Sequence, residues 1–392
     1  KIKDVFYMTN IFNEEFKKEF YKNNFKKNYL YKQGLVENYK NIMSIEILNK
    51  MLSIKNIWNN KNFLMMLDRK RINFTEFSKP NLDVTGNNLR PDPKNVQKLV
   101  SKGASIILND IEKHSPELSG LANIFQLNTH GRCQGNLYFS MESRQAFGPH
   151  CDKHDVFAIH FEGEKTWNIY EKIEKNPINH PIFEYSAEER IKRAGKLINQ
   201  IKMKPGDLLY IPRGQYHDAL ASKNGAIHIA FGLTYFKPID LISVLWEKFI
   251  LNDYMRGDIN TNANKHELKE ILFKISEQFE LIINNDETSN ILQSSMKNWP
   301  YEIENYSLKE VVSEGKRFYV SKGISLEKTK TDLFLTNGKD KVKVPENFCT
   351  LTEYIIREEY FTLKSICENF PKISEKTITE CVNSLKNMKI VN

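Results

Sequence analysis

The chain has 392 residues, a formal charge of +8 and a pI near 8.9, a length that exceeds one ordinary domain and predicts two or three units. Its 40% hydrophobic and 11% aromatic content excludes a disordered chain, no apolar run reaches the length of a membrane-spanning helix, and the first residues lack the charged-then-apolar pattern of a secretory leader. The positive charge is lysine scattered among asparagine and isoleucine, a bias that reads as low-GC coding and not as a surface for specific DNA, while leaving weak RNA contact open.

The first hundred residues read mostly as helices and short irregular pieces. Glu14 to Tyr21 and Ser44 to Leu52 carry apolar residues at helical spacing, among them Ile45, Ile47, Leu48 and Met51. Pro80 and Asp92-Pro93 mark loops, and Asn95 to Asp110 is predicted as a helix feeding the core. From Leu121 the pattern changes to short strands: Asn123–Leu127, Gly135–Phe139, Val156–Phe161, Thr166–Tyr170, Ile198–Met203, Asp207–Ile211 and Ala226–Thr234. Such strands, separated by Gly, Pro and Asn turns, predict a two-sheet jelly roll. An insertion from Glu171 to Leu197 interrupts it, with the run Glu188-Glu189-Arg190 and Lys192-Arg193 predicting a solvated helix near a substrate entrance.

The chemistry gathers in two stretches, Phe147 to Tyr170 and Gly206 to Leu220. His150 and Asp152 are two residues apart, so at the edge of a strand their side chains point the same way. His217, beyond the turn Pro212-Arg213-Gly214, supplies a third donor. Two histidines and one aspartate leave about three of six octahedral positions open, the arrangement with which non-haem Fe(II) oxygenases bind a co-substrate and dioxygen. An isolated H-x-D is otherwise a weak signal. After Glu162-Gly163-Glu164, Lys165 opens what reads as the return strand of a hairpin. It is either a solvated hairpin residue or a cation for the distal carboxylate of 2-oxoglutarate.

Several neighbours have a bland and a functional reading. Asn136 and Tyr138 share a strand face and either line a cofactor pocket or pack as core polar groups. His228 lines the site or is a satisfied core histidine, and His160 is similar. His154 and Asp155 read as rim groups or as groups that support the ligands from behind, His154 also as a substrate contact, and Arg144 and Arg213 as substrate contacts or surface ion-pair partners. Cys151 lies between two proposed ligands and points away. With Cys133, Cys349, Cys367 and Cys381 it makes an odd set with no pairing pattern, which predicts a reducing, cytoplasmic setting. The chain opens on Lys1, so the natural start is expected upstream or at Met8.

After Pro238 the chain turns helical, with apolar stripes at Ile239, Ile242, Leu245 and Phe249, and at Leu268, Ile271, Leu272, Ile275, Phe279 and Ile282. These faces need a partner, either another surface or the barrel itself. The last segment reads as a separate unit: Arg317–Val320 and Asp332–Leu335 flank a loop, and Asn337-Gly338 turns into Lys341–Pro345. Three short helices follow, the last opening at Ser374.

The combination Asn136-Leu137-Tyr138, Gly148-Pro149-His150-x-Asp152, Asp155-Val156-Phe157, Glu162-Gly163-Glu164-Lys165-x-Trp167 and Gly206 to Gly214 followed by His217 resembles the ribosomal oxygenases. These are Jumonji-C, cupin-type protein hydroxylases that depend on Fe(II) and 2-oxoglutarate. The resemblance implies His150, Asp152 and His217 as iron ligands, Lys165 as partner of the 2-oxoglutarate carboxylate, and O2 as the second co-substrate. It implies an α+β fold in which 1–236 form the catalytic domain, with N-terminal helices and a double-stranded β-helix core at about 121–236. Residues 237–304 would form a helical dimerisation region and 305–392 a winged-helix-like domain. Phe25 to Leu35 resembles the family's lead-in segment, an aromatic followed by a strand into the barrel. Glu375 and Glu380 beside the lysines of the final helix argue against a DNA reader and for a structural or protein-contact tail. The implied substrate is a ribosomal protein or other polypeptide. Alternatives are a ribosomally made small peptide, a tRNA base, a histone-type lysine demethylation and a cupin that binds without turnover.

Overall fold

A computed structural model describes residues 11–54, 56–83, 86–141, 147–221, 225–303, 317–321, 323–329, 332–336 and 341–392. The chain divides into two units, 1–303 and 304–392. In the first, one antiparallel sheet combines β1 (Leu30–Lys32), β2 (Phe63–Leu67), β3 (Lys70–Arg71), β6 (Ser105–Asn109), β7 (Arg132–Ser140), β8 (Asp155–Glu162), β11 (Leu208–Ile211) and β13 (Ala226–Thr234). Their spatial order is β1-β11-β8-β13-β7-β6-β2-β3. A second sheet has the order β10-β9-β12, from β9 (Lys165–Ile173), β10 (Leu197–Met203) and β12 (Gln215–Ala221), while β4 (Ser78–Asp83) and β5 (Gly86–Pro91) pair as a ribbon.

The two-residue side-chain repeat explains why two layers form on opposite faces of the large sheet. Along β8, Phe157, Ile159 and Phe161 point one way, joined by Leu208, Tyr210, Ile229 and Phe231 from its neighbours, and pack on Phe12, Phe16, Phe20 and Phe125 of the helical layer. Phe125 stacks on Phe157 at 4.5 Å and Phe20 meets Tyr210 edge-on at 4.9 Å. Each such buried ring contributes roughly 1.5–3 kcal/mol by removal from water. The alternate residues Val156, Ala158, Leu209 and Ile211 face the small sheet and meet Trp167, Ile169, Ile201 and Met203. Between these sheets lies the interior in which the predicted site residues gather.

Three differences from the sequence reading follow from pairing partners that a single segment does not reveal. Residues 123–127 belong to the helix Pro116–Thr129, whose burial on more than one face imitates a buried strand. The stretch 95–110 is a helix, Pro93–Ser101, that stops at Gly103 and continues as β6. The first hundred residues are less helical than expected, and Pro80 sits in β4 opposite Leu89, in a two-stranded ribbon where a missing N–H is tolerated.

A fourth difference bears on the site. β8 and β9 are not a hydrogen-bonded hairpin. β8 is paired on both sides, by β11 and β13, and so has no free edge. At Gly163, with φ of +65°, the chain crosses to the other sheet, where β9 pairs with β10 and β12. That crossing places Lys165 on the facing wall of the interior.

The helices Pro238–Val244, Trp246–Leu251, Lys265–Ile283 and Asp286–Lys297 follow the barrel. Leu245 and Phe249 are buried and Phe249 meets Phe279 at 4.5 Å, whereas Ile239, Ile242, Leu272, Phe273 and Leu281 are exposed. Among the described residues, no helix is long and apolar enough to cross a membrane.

The second unit has its own core, including Phe318, Leu333, Leu351, Phe361, Ile378 and Val382. It holds the pair β14 (Arg317–Tyr319) and β18 (Tyr360–Thr362), the meander β15 (Ser325–Lys328), β16 (Leu333–Thr336) and β17 (Lys341–Lys343), and helices at Cys349–Ile355, Leu363–Asn369 and Glu375–Asn387. Ser374 caps the last helix by accepting from Thr377 N. The expected Asn337-Gly338 turn lies outside the described residues, as does Arg144.

Candidate metal centre and adjoining cavity

His150 and His217 are joined by two backbone hydrogen bonds, His150 N to His217 O at 3.0 Å and His217 N to His150 O at 2.8 Å. This bridge brings together residues far apart in the chain, and Gly214 N donates to Asp152 O at 2.9 Å to hold the third. Donor atoms of His150, Asp152 and His217 all lie within 4.8 Å of one another. His217 Nε2 is 3.5 Å from Asp152 Oδ2, and His150 Nε2 is 4.0 Å from Asp152 Oδ1.

The outer nitrogens decide the tautomers. His150 Nδ1 lies 2.9 Å from Gly148 O and His217 Nδ1 2.9 Å from Gln215 O. A carbonyl only accepts, so each Nδ1 carries the proton and each Nε2 presents a lone pair toward Asp152. Burial, aided by the neighbouring His150, pushes His217 down to about 4, so it is neutral at physiological pH as a ligand must be. Burial would raise the Asp152 carboxyl, but the imidazoles of His217, His154 and His150 hold it below the usual carboxylate range. Two neutral imidazoles and one carboxylate grouped on one side suit a divalent first-row metal with open positions.

The turn that supplies this geometry depends on a glycine. At Gly214 φ is +87°, and an added Cβ would lie 2.0 Å from Glu174 O. Gly214→Ala is expected to destabilise the protein by about 1–3 kcal/mol from backbone strain alone, with more from the clash, and to lower metal affinity because Gly214 N holds Asp152. Thermal melts with metal titration check it; an unchanged melting temperature would contradict the stated packing.

A cavity of about 320 Å³ opens from the three donors, lined also by Tyr138, Lys165, Trp167 and His228. Tyr138, His228 and His160 occupy paired positions on β7, β13 and β8, and Tyr138 stacks on His228 at 4.7 Å. On β9, Ile169 is opposite His217 and Lys165 opposite Ala221, so His217 and Lys165 face one interior. Lys165 is buried, with Nζ 3.2 Å from Ser140 Oγ and 3.3 Å from His228 Nδ1. Burial pushes its ammonium down to about 7.

A model of the JmjC domain matches residues 115–241, which span both ligand stretches and the lysine. A histidyl-hydroxylase and lysine-specific demethylase, NO66, of Dictyostelium discoideum is 29% identical over 217 residues, 54% of this chain and 39% of that protein. Ribosomal oxygenase 2 of Bos taurus is 32% identical over 123 residues, 31% of this chain and 25% of its own length. Residues 115–241 carry a JmjC domain, similar to those of these relatives. The chain spans well under half the length of these relatives. Two solved structures of Escherichia coli YcfD, one described as a ribosomal oxygenase in complex with cobalt and 2-oxoglutarate, share its fold at TM-scores of 0.51 and 0.53. Each shows 16% identity and covers 96% of this chain and 97% of the other.

Around the JmjC site the remaining expected residues separate. Asn136 shares the inward face with Tyr138, pairs with Ala230, and keeps Oδ1 buried without a partner among the described residues. His154 lies over Gly232, where a Cβ would meet its ring at 2.8 Å. Arg213 donates from its side chain to Asn176 Oδ1 at 2.9 Å and from its backbone to Asp155 Oδ1 at 2.8 Å. Asp155, whose other oxygen accepts from Tyr210 Oη at 2.7 Å, is a buried clamp between the start of β8 and the turn before His217, as the supporting alternative of its sequence reading has it. Among the lining residues to which the sequence reading gave no individual role are Phe183, Glu184, Tyr185 and Arg190. All come from the 171–197 insertion expected near the substrate entrance, and the structure shows which of its side chains reach the cavity.

Proposed function

We propose that the chain is an Fe(II)- and 2-oxoglutarate-dependent oxygenase that hydroxylates a side chain of a polypeptide, a ribosomal protein being the substrate class suggested by the relatives' names. The observation that carries this is the convergence on one cavity of two Nε2 lone pairs, a carboxylate and a buried lysine. Bound iron would supply dioxygen activation coupled to decarboxylation of 2-oxoglutarate to succinate and CO2. His150, Asp152 and His217 would hold it on one side, with the Gly148 and Gln215 carbonyls orienting the rings. Lys165 would take the distal carboxylate, donating in a cavity where weak hydration strengthens the contact. Tyr138, His228 and Asn136 would line the co-substrate space, and Trp167, stacked on His217 at 5.8 Å, would exclude water. His154 and Arg213 would touch substrate only indirectly, since each packs against the frame.

The exposed apolar residues on 237–304 support reading this region as a homodimer contact, and the strand and helix order of 305–392 supports a winged-helix-like tail. Free thiols at the five cysteines support a reducing, cytoplasmic setting. Light scattering on the full chain is expected to report a dimer. Decarboxylation should be stimulated by ribosomal proteins or their peptides and not by tRNA or duplex DNA. A monomer stimulated only by tRNA would instead support nucleic-acid hydroxylation, and that binding would fall by orders of magnitude between roughly 50 and 200 mM salt.

A further inference from the structure

The helix Ala187–Ala194 brings a cation to the cavity that neither metal nor co-substrate accounts for. Ser186 caps this helix by accepting from Glu189 N at 3.2 Å. Arg193 anchors its end, donating from Nε to Glu189 at 3.1 Å and from Nη1 to Glu174 at 3.2 Å, with its guanidinium 3.8 Å from the centre of the Tyr185 ring. With Arg193 pinned there, Arg190, three residues earlier, lines the metal cavity. Its Nε is buried without a partner and, among the described residues, the Arg190 side chain makes no hydrogen bond and no ion pair, while its backbone N donates to Ser186 O at 3.0 Å within the helix.

The other described cations of the cavity are engaged. Lys153 pairs with Glu184, and Lys165 meets Ser140 and His228. Glu184 is held below the usual carboxylate range chiefly by the hydrogen bond from Lys153, with Arg190 the smallest contributor. The two carboxylates of 2-oxoglutarate would be matched by the metal and Lys165. A guanidinium with a buried, unused donor is costly unless something arrives to accept from it, and its planar fork matches a carboxylate in two parallel bonds. Phe147, Phe183 and Tyr185 line the same cavity and give an apolar bed for the stem of a substrate side chain.

We propose that Arg190 docks the substrate of this site, and that the polypeptide taken here carries a carboxylate, from an acidic side chain or from its own C-terminus, close to the oxidised residue. The proposal rests on the polypeptide-hydroxylase reading. It names a feature of the substrate that the ligand set alone does not.

The test uses the full chain with Mn(II) and N-oxalylglycine, and pools of short acetylated peptides in two series. One series fixes Asp, Glu, Asn or Gln at each position with an amidated end; the other compares free and amidated ends without acidic side chains. Retained peptides are quantified by mass spectrometry for the wild type, Arg190→Ala and Arg190→Lys. Acidic or free-ended pools should be retained about tenfold or more above their neutral counterparts. Arg190→Ala should remove that preference, Arg190→Lys should restore part of it, and the dissociation constant for 2-oxoglutarate should stay within about twofold of the wild type in both. The series that responds identifies the source of the carboxylate. Retention without acidic preference, or a preference that survives in Arg190→Ala, overturns the proposal alone. A loss of 2-oxoglutarate binding in Arg190→Ala also overturns it, by making Arg190 a co-substrate contact. If no pool is retained by any of the three proteins, the polypeptide reading fails and this proposal with it.

Discussion

Replacing His217 with alanine is expected to abolish metal retention and reduce 2-oxoglutarate turnover to background, the largest effect of any single change in this chain. His217 supplies one of three donor atoms, and its ring is held by the Gln215 carbonyl and by Trp167 stacked on it. Its backbone bridge to His150 is independent of the side chain, so the loop should stay in place. Metal content, with circular dichroism to check the fold, measures this. Unchanged metal content in a folded variant would remove His217 from the ligand set. Asp152→Asn should act in the same direction, because it removes the one anionic donor while keeping the shape.

Lys165→Ala should weaken 2-oxoglutarate binding by roughly tenfold to a hundredfold, since a hydrogen bond to a charged group contributes about 1.5–3 kcal/mol, and should leave metal affinity nearly unchanged. The pH dependence gives a sharper result. Burial holds the free Lys165 ammonium down to about 7, and only its charged form attracts a carboxylate. Below pH 7 the lysine is already protonated and binding should be flat with respect to this group. Above pH 7 binding must take up a proton, so the dissociation constant should rise by up to about tenfold per pH unit until the pKa of the bound complex is passed. Calorimetry at pH 8 in buffers of different ionisation enthalpy should show that uptake in the wild type and lose it in Lys165→Ala. A pH-independent constant, or a variant within about twofold of the wild type, would place the carboxylate's partner elsewhere.

The chemistry-bearing residues were legible because their signals are local. His150-x-Asp152, the turn before His217, and the lysine after Glu162-Gly163-Glu164 are short patterns whose residue types restrict what they can do. The strands at Gly135–Phe139, Val156–Phe161 and Ala226–Thr234 were legible for the same reason, as branched and aromatic runs between turn residues. The helix Pro116–Thr129 misled at residues 123–127 because it is buried on more than one face, which erases the 3.6-residue contrast that marks a helix. β12 went unnamed as a strand because Gln215-Tyr216-His217-Asp218 is polar in sequence. Its side chains are nevertheless buried, satisfied by contacts such as Asn168 and Tyr170 to the two oxygens of Asp218.

By itself, then, the sequence determined which donors exist and that a cation follows them, because residue identity acts over a few positions. Only the tertiary structure decided which donors meet. His150 and His217 are joined by hydrogen bonds between segments with no local relation, and Lys165 reaches the interior because β8, paired on both edges, sends the chain across to the facing sheet. Arg190 is the extreme case. Nothing in Glu188-Glu189-Arg190 separates it from a solvated helical charge, and its place in the cavity wall follows from Arg193 pinning the far end of its helix. Pairing across sheets and packing of insertions are set by long-range complementarity, which no window of sequence contains.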